Sequence, residues 1–240
     1  MVSQLQSSTQ PEIIYPDSDG QPMADNTKQF RWIVTIKENL ERLFRDRADV
    51  FVAGDLLWYP VEGNNTLRQA PDAMVALGRP KGDRGSYKQW EEDNIPPQVV
   101  FEILSPGNRM GRMARKFQFY NLYGVEEYYV YDPDDVELIG WLRTEQALEV
   151  IENMDGWVSP RLQIRFDLSE PELQIFYPDG SRFLTYVELA DQLDQEQQRA
   201  EVERQRAEAE RQRAEAERQR ADELEQQLQQ YRDRFGDLSQ

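Results

Sequence analysis

The chain has 240 residues, with 45 acids against 28 lysines and arginines, a net charge of −17, and neither cysteine nor histidine. That composition excludes disulfides, thiolate metal sites, Ser-His-Asp triads, histidine-based zinc sites and imidazole bases together. Any catalysis must rest on carboxylates, Lys, Arg, Tyr or a carboxylate-bound metal.

The length accommodates one domain of about 150–200 residues plus an appendage. No early segment joins a basic start to an apolar run, and no stretch of about eighteen apolar residues occurs, so a soluble cytoplasmic protein without a membrane span is expected. The charge runs against nucleic-acid binding, which draws most of its energy from cations. Residues 191–240 hold 14 acids and 9 bases, a net of −5, so the remainder of the chain still carries −12.

Residues 1–27 read as a flexible arm with at most one extended stretch near Glu12 to Tyr15. Residues 30–46 read as an amphipathic helix, with Phe30, Ile33, Val34, Ile36, Leu40, Leu43 and Phe44 at mostly helical spacing and Glu38 and Glu41 along it. Val50–Ala53, Leu56–Tyr59 and Asp72–Leu77 read as strands separated by Gly54-Asp55 and by a turn at Pro60 to Asn65. The connection from Gly78 to Pro97 is long for the interior of a domain, and such loops are often functional. Its Lys81, Arg84 and Lys88 interleave with Tyr87 and Trp90 as a nucleic-acid-contacting flap would require; Glu91, Glu92 and Asp93 count against that reading.

Gln98–Leu104 is predicted as a strand, Met110–Tyr123 as a helix stopped by Gly124, and Glu127–Tyr131 as a second strand. This order implies a parallel pair joined by a helical crossover. Leu138–Leu142 and Leu148–Ile151 read as further strands, and Leu173–Tyr177 with Arg182–Leu184 as a hairpin around Pro178-Asp179-Gly180. The body over residues 28–187 is therefore expected to be α/β with a mixed sheet.

Residues 188–240 contain three seven-residue repeats, from Arg199, Arg206 and Arg213. Arg–Glu pairs at i+4 (Arg199/Glu203, Arg206/Glu210, Arg213/Glu217), each worth about 0.2–0.5 kcal/mol, support a long solvated helix. One heptad register places Leu193, Ala200, Ala207, Ala214, Ala221, Leu228 and Phe235 on a seam, but its alternate positions include Glu196, Glu203, Glu210 and Glu217, which are costly to bury. A charged stalk with a leucine and aromatic clasp at its end is favoured over a continuous coiled coil. Either form is a spacer or an element for homo-oligomerisation.

Three residues carry the chemistry. Asp72 follows Pro71 at a strand start, Glu102 interrupts the apolar run Val99 to Leu104, and Lys116 lies on the next helix. A carboxylate in a strand interior needs a partner. Two acids can hold a hard cation through oxygen, and an ammonium steadies charge building on a phosphate, which together are the needs of metal-assisted phosphodiester cleavage. By itself, Asp72 is also compatible with an ordinary strand-start acid and Lys116 with a surface lysine.

With those residues placed on strand, strand and helix, the chain resembles the Uma2 family of endonucleases, a branch of the PD-(D/E)XK nuclease superfamily. The likeness covers roughly residues 28–145 and rests on Ala70-Pro71-Asp72, Phe101 to Pro106, Lys116 to Tyr120 and Tyr123 to Pro133. It implies a restriction-endonuclease-like mixed β-sheet core flanked by helices. It further implies that Asp72 and Glu102 bind Mg²⁺ or Mn²⁺, assisted by the Ile103 carbonyl, that Lys116 is catalytic, and that DNA is the substrate. The usual superfamily lysine would stand at position 104, which here is Leu104; Uma2 members place it on the following helix, where Lys116 matches. One turn earlier, where many relatives carry an acid, this chain has Arg112. Glu38 or Glu41 on the first helix is a further candidate ligand. The alternative function is a nuclease-fold protein with a weak or inactive site, acting as a binding or scaffolding module through its tail.

Overall fold

In the computed structural model, which describes residues 13–107 and 110–236, contacts divide the chain after Thr185 into two units. The first begins with α1 (Thr27–Leu43), three residues earlier than periodicity predicts, because the Asn26 side chain caps it by accepting the Gln29 backbone N–H. Strands β1 (Val50–Ala53), β2 (Trp58–Tyr59), β3 (Ala73–Leu77), β4 (Tyr87–Lys88) and β5 (Val99–Ile103) come next. Helix α2 (Met110–Leu122) then leads to β6 (Glu127–Asp132), β7 (Glu137–Arg143), β8 (Leu148–Val150), β9 (Arg165–Asp167) and β10 (Gln174–Phe176).

Six strands form one mixed sheet in the order β1-β3-β5-β6-β7-β8. Only the β5–β6 pair is parallel, in the register Glu102↔Val130, and α2 is its crossover, as the strand–helix–strand order requires. Gly124, at φ 90°, ends that connection in the left-handed conformation that glycine adopts without a Cβ penalty.

The sheet is covered on both faces, which is why β5 reads as a continuous apolar run rather than an alternating one. Val99, Phe101 and Ile103 join Trp32, Ile33, Ile36 and Leu40 of α1 in one core. Val100 joins Phe119 and Tyr120 of α2, with Trp58 and Tyr87, in the other. Alternation therefore sends Glu102 to the α2 side.

Some expectations are revised. The 78–97 connection is a folded segment in which three of the four cations are paired within the segment itself: Arg79 and Arg84 both grip Glu92, at 2.9 and 2.5 Å, and Lys88 meets Glu91 at 3.3 Å, while Lys81 reaches out to Glu41 of α1 at 3.2 Å. Tyr87 is fully buried, and β4 pairs in parallel with β2. A basic, aromatic flap is not what those residues form. The hairpin around Pro178 to Gly180 is present, with the Tyr177 N–H donating to the Ser181 carbonyl and the Phe183 N–H to the Ile175 carbonyl, both at 2.8 Å, and Phe176 bridged to Arg182; β10 also pairs on its other side with β9, which the sequence pattern did not mark. Ile13 to Tyr15 form no strand, although Asn65 Nδ2 donates to the Ile14 carbonyl and Tyr59 Oη to the Pro16 carbonyl, at 2.8 and 2.7 Å. Glu12 lies outside the described residues.

The second unit contains α3 (Tyr186–Phe235), a single helix of 50 residues whose positions 191–234 are all exposed. Its side-chain bonds include Arg204 to Glu201 at 3.6 Å and Gln205 to Glu201 at 3.0 Å. Among the described residues no helix is long and apolar enough to cross a membrane.

One buried acid outside the sheet centre is structural. Glu127, fully buried at the start of β6, accepts from Tyr129 Oη at 2.9 Å, from the Arg161 N–H at 2.6 Å and from Ser159 Oγ, tying residues 159–161 to the sheet. Glu127→Ala strands these donors and should lower stability by about 3 kcal/mol, read from the urea midpoint. A loss below about 1 kcal/mol would show that the network is not holding the segment.

Candidate active site

Asp72, Glu102 and Lys116 come together. Asp72 sits just before β3 and turns its Oδ2 toward β5, where it accepts the Ile103 N–H at 2.6 Å. Glu102, only 3% exposed, accepts from Lys116 Nζ through Oε2 and from Tyr120 Oη through Oε1, each at 2.5 Å. Lys116 and Tyr120 are four residues apart on α2, so one face of that helix presents both donors. A charge inside an apolar strand is thereby given a cation and a hydroxyl, as burial demands.

Mutual influence is strong in so small a space. Burial pushes the Asp72 carboxyl well above its ordinary range, and the Glu102 charge adds to this, while Lys116 and the Ile103 N–H oppose it. For Lys116 burial acts to lower the pKa, but Glu102 and Asp72 outweigh it and the ammonium is held above its usual value. Burial, then Glu102, raises the Tyr120 phenol well above its normal range, so it remains a donor.

Asp72, Glu102 and Lys116 open onto a cleft of about 360 Å³ that is also lined by Asp19, Asp25, Gln29, Asp55 and Arg112. Asp55 adopts φ 48°, and its N–H donates to the Pro71 carbonyl at 3.0 Å, which carries it beside Asp72. Burial, followed by Asp19, raises its carboxyl pKa. Gln29 of α1 donates through Nε2 to the Ile103 carbonyl at 2.8 Å, and Asp25 accepts from Ser105 Oγ at 2.6 Å.

The first helix thus reaches the cleft through Gln29. Glu38 bonds Lys37 at 3.0 Å and Glu41 bonds Lys81 at 3.2 Å, and neither lines the cleft. Tyr120 was within reach of sequence reasoning, since it stands at i+4 from Lys116. Gln29 precedes the first periodic apolar residue, and Asp55 resembles an ordinary turn acid; no local signal marks either.

Among the described residues no group of three or more acids is arranged to hold a cation. The oxygens facing one another are the carboxylates of Asp72 and Glu102 and the carbonyl of Ile103; Asp72 Oδ2, both Glu102 oxygens and the Ile103 carbonyl each already accept one hydrogen bond, so a cation would use their remaining lone pairs. All are hard donors of the kind that suit Mg²⁺ or Mn²⁺.

The family model described as "Uma2: Putative restriction endonuclease" matches residues 4–169. The chain belongs to the Uma2 family. A crystal structure described as "a putative nuclease belonging to DUF820 from Anabaena variabilis ATCC 29413" is similar at 16% identity and a TM-score of 0.43, covering 56% of this chain and 72% of that one. Comparison with curated proteins gives no match.

Two substitutions probe the electrostatics. Tyr120→Phe removes a donor from a buried carboxylate and should cost about 2 kcal/mol in urea unfolding; a change under about 0.5 kcal/mol would deny the bond its weight. Because the folded-state pKa of Asp72 is raised above 3.8, its contribution is fully present below the unfolded value and is lost as pH rises through the folded one. Metal-free Asp72→Asn should therefore lose less stability than the parent between acid and neutral pH, ending about 1 kcal/mol more stable at pH 7 by thermal melts.

Proposed function

We propose that the chain is a Mg²⁺- or Mn²⁺-dependent DNA endonuclease of the cytoplasm, with Asp72, Glu102 and Lys116 as its catalytic residues. The convergence of these three side chains on one cleft carries the reading, and membership of a family described as endonucleases supports it. Asp72, Glu102 and the Ile103 carbonyl would hold the cation. When bound, the ion supplies charge for the phosphate oxygens and lowers the pKa of water.

The chain's own groups do the rest. Lys116, kept charged by the two acids and lining the cleft beside Glu102, steadies the charge that accumulates on the phosphate. Tyr120 holds Glu102 in place from the buried side, and the Asp72 bond to the Ile103 N–H fixes its carboxylate against β5. Arg112, on the cleft rim one turn before Lys116, offers a further phosphate contact in place of an acid.

A second reading is a weak or inactive site in a scaffolding protein that assembles with copies of itself through α3. It is favoured by the closure of both Glu102 oxygens by Lys116 and Tyr120, and by Leu224, Leu228 and Tyr231, exposed at 60, 56 and 69% near the end of α3.

The deciding experiment incubates the protein with supercoiled and single-stranded DNA and Mg²⁺ or Mn²⁺. Metal-dependent nicking should vanish in Glu102→Ala and fall about 10²–10³-fold in Lys116→Ala. In parallel, Mg²⁺ at a hundredfold excess over its Kd should stabilise the parent by about 2.7 kcal/mol and leave Glu102→Ala unmoved. Metal stabilisation without nicking would favour the scaffold reading. Absence of both would remove the metal site as well.

A further inference from the structure

The chain turns sharply at Gly54-Asp55. Asp55 lines the cleft that holds Asp72 and Glu102, while Gly54 lines a second cleft of about 400 Å³, whose walls carry three cations, Lys37, Lys81 and Arg84, against two acids, Glu41 and Asp83, over Phe51 and Leu56. The two clefts therefore meet across adjacent residues. A Cβ at Gly54 would lie 3.2 Å from the Asp72 carbonyl oxygen and 3.3 Å from Lys37 Cγ. The missing side chain lets the Lys37 stem cross this corner beside the backbone of Asp72.

The cations of the second cleft differ in how firmly they are held. Arg84 is 13% exposed, gripped by Glu92 and laid over the Phe51 ring at 3.9 Å, so it forms a fixed wall. Lys37 and Lys81 are each 31% exposed, and their partners Glu38 and Glu41 are 61% and 38% exposed. Pairs this open to solvent are worth about 0.2–1 kcal/mol, so both ammonium groups are available to a more highly charged anion. In a chain of net charge −17, binding of a polyanion needs such local cations.

We propose that Lys37 and Lys81 form a seat for a backbone phosphate of a DNA strand, flanking the phosphate held at Lys116. The seat rests on the nuclease reading for its ligand. It contacts phosphate alone, so it positions the strand without reading its sequence.

The test measures binding of fluorescein-labelled DNA to the full-length protein across a salt series, comparing the parent, Lys37→Ala/Lys81→Ala and the charge-matched Lys28→Ala/Arg45→Ala. The first pair should weaken binding at least about fivefold and flatten the slope of log K against log salt by about one, given roughly 0.9 per phosphate neutralised. The control pair should stay within about twofold of the parent. Equal losses in the two double variants, or an unchanged slope, would overturn the seat while leaving the nuclease reading standing. If the parent binds no DNA, both fall. Selective loss in the first pair, without nicking by the parent, would keep the seat and overturn the nuclease reading.

Discussion

A carboxylate in the middle of an apolar strand is the constraint around which the first unit is organised. Glu102 is buried on the α2 side of β5, where its neighbours on the same face are aliphatic and aromatic. Removing such a charge from water costs several kcal/mol unless it is paired and hydrogen-bonded. Lys116 and Tyr120 meet that cost, and to do so α2 must dock with one particular face toward the sheet. The parallel β5–β6 crossover, the Gly124 stop and the aromatic packing of Phe119 and Tyr120 against Trp58 all agree with that docking. Local propensity, packing and electrostatics specify the same arrangement.

Asp72 has a different relation to the same strand. Its bond is to backbone, and its carboxyl is destabilised as an anion by burial and by Glu102. Two like charges in a shared low-dielectric space are a poor solution for folding alone. Groups shifted in this way concentrate where chemistry is done. In the nuclease reading proposed above, stability is given up locally at this cleft, with the surrounding cores of α1 and α2 supplying the compensation.

How much of this was legible in the sequence depends on the range of the interaction involved. Strand β5, helix α2 and strand β6 are set by apolar runs and a stop glycine, all local signals. Glu102 announced itself by breaking a pattern, and the family likeness then tied Asp72 and Lys116 to it. The charges of the 78–97 segment misled, because spacing along the chain does not reveal that Arg79 and Arg84 fold back onto Glu92. Strand β9 is three residues long with one apolar side chain, too short to carry a period, and exists because β10 pairs with it. Asp55 and Gln29 reach the cleft through tertiary placement only.

In α3, residues 191–234 touch solvent on every side, and the seven-residue repeat is their only regularity. Inserting or deleting one repeat would change the helix by about 10 Å and rotate its distal end by only about 20°. No packed side chain would register the change. Length in this segment is therefore close to a free variable, open to drift or to tuning in uniform steps, whereas in β5 a single residue gained or lost would turn Glu102 to the opposite face.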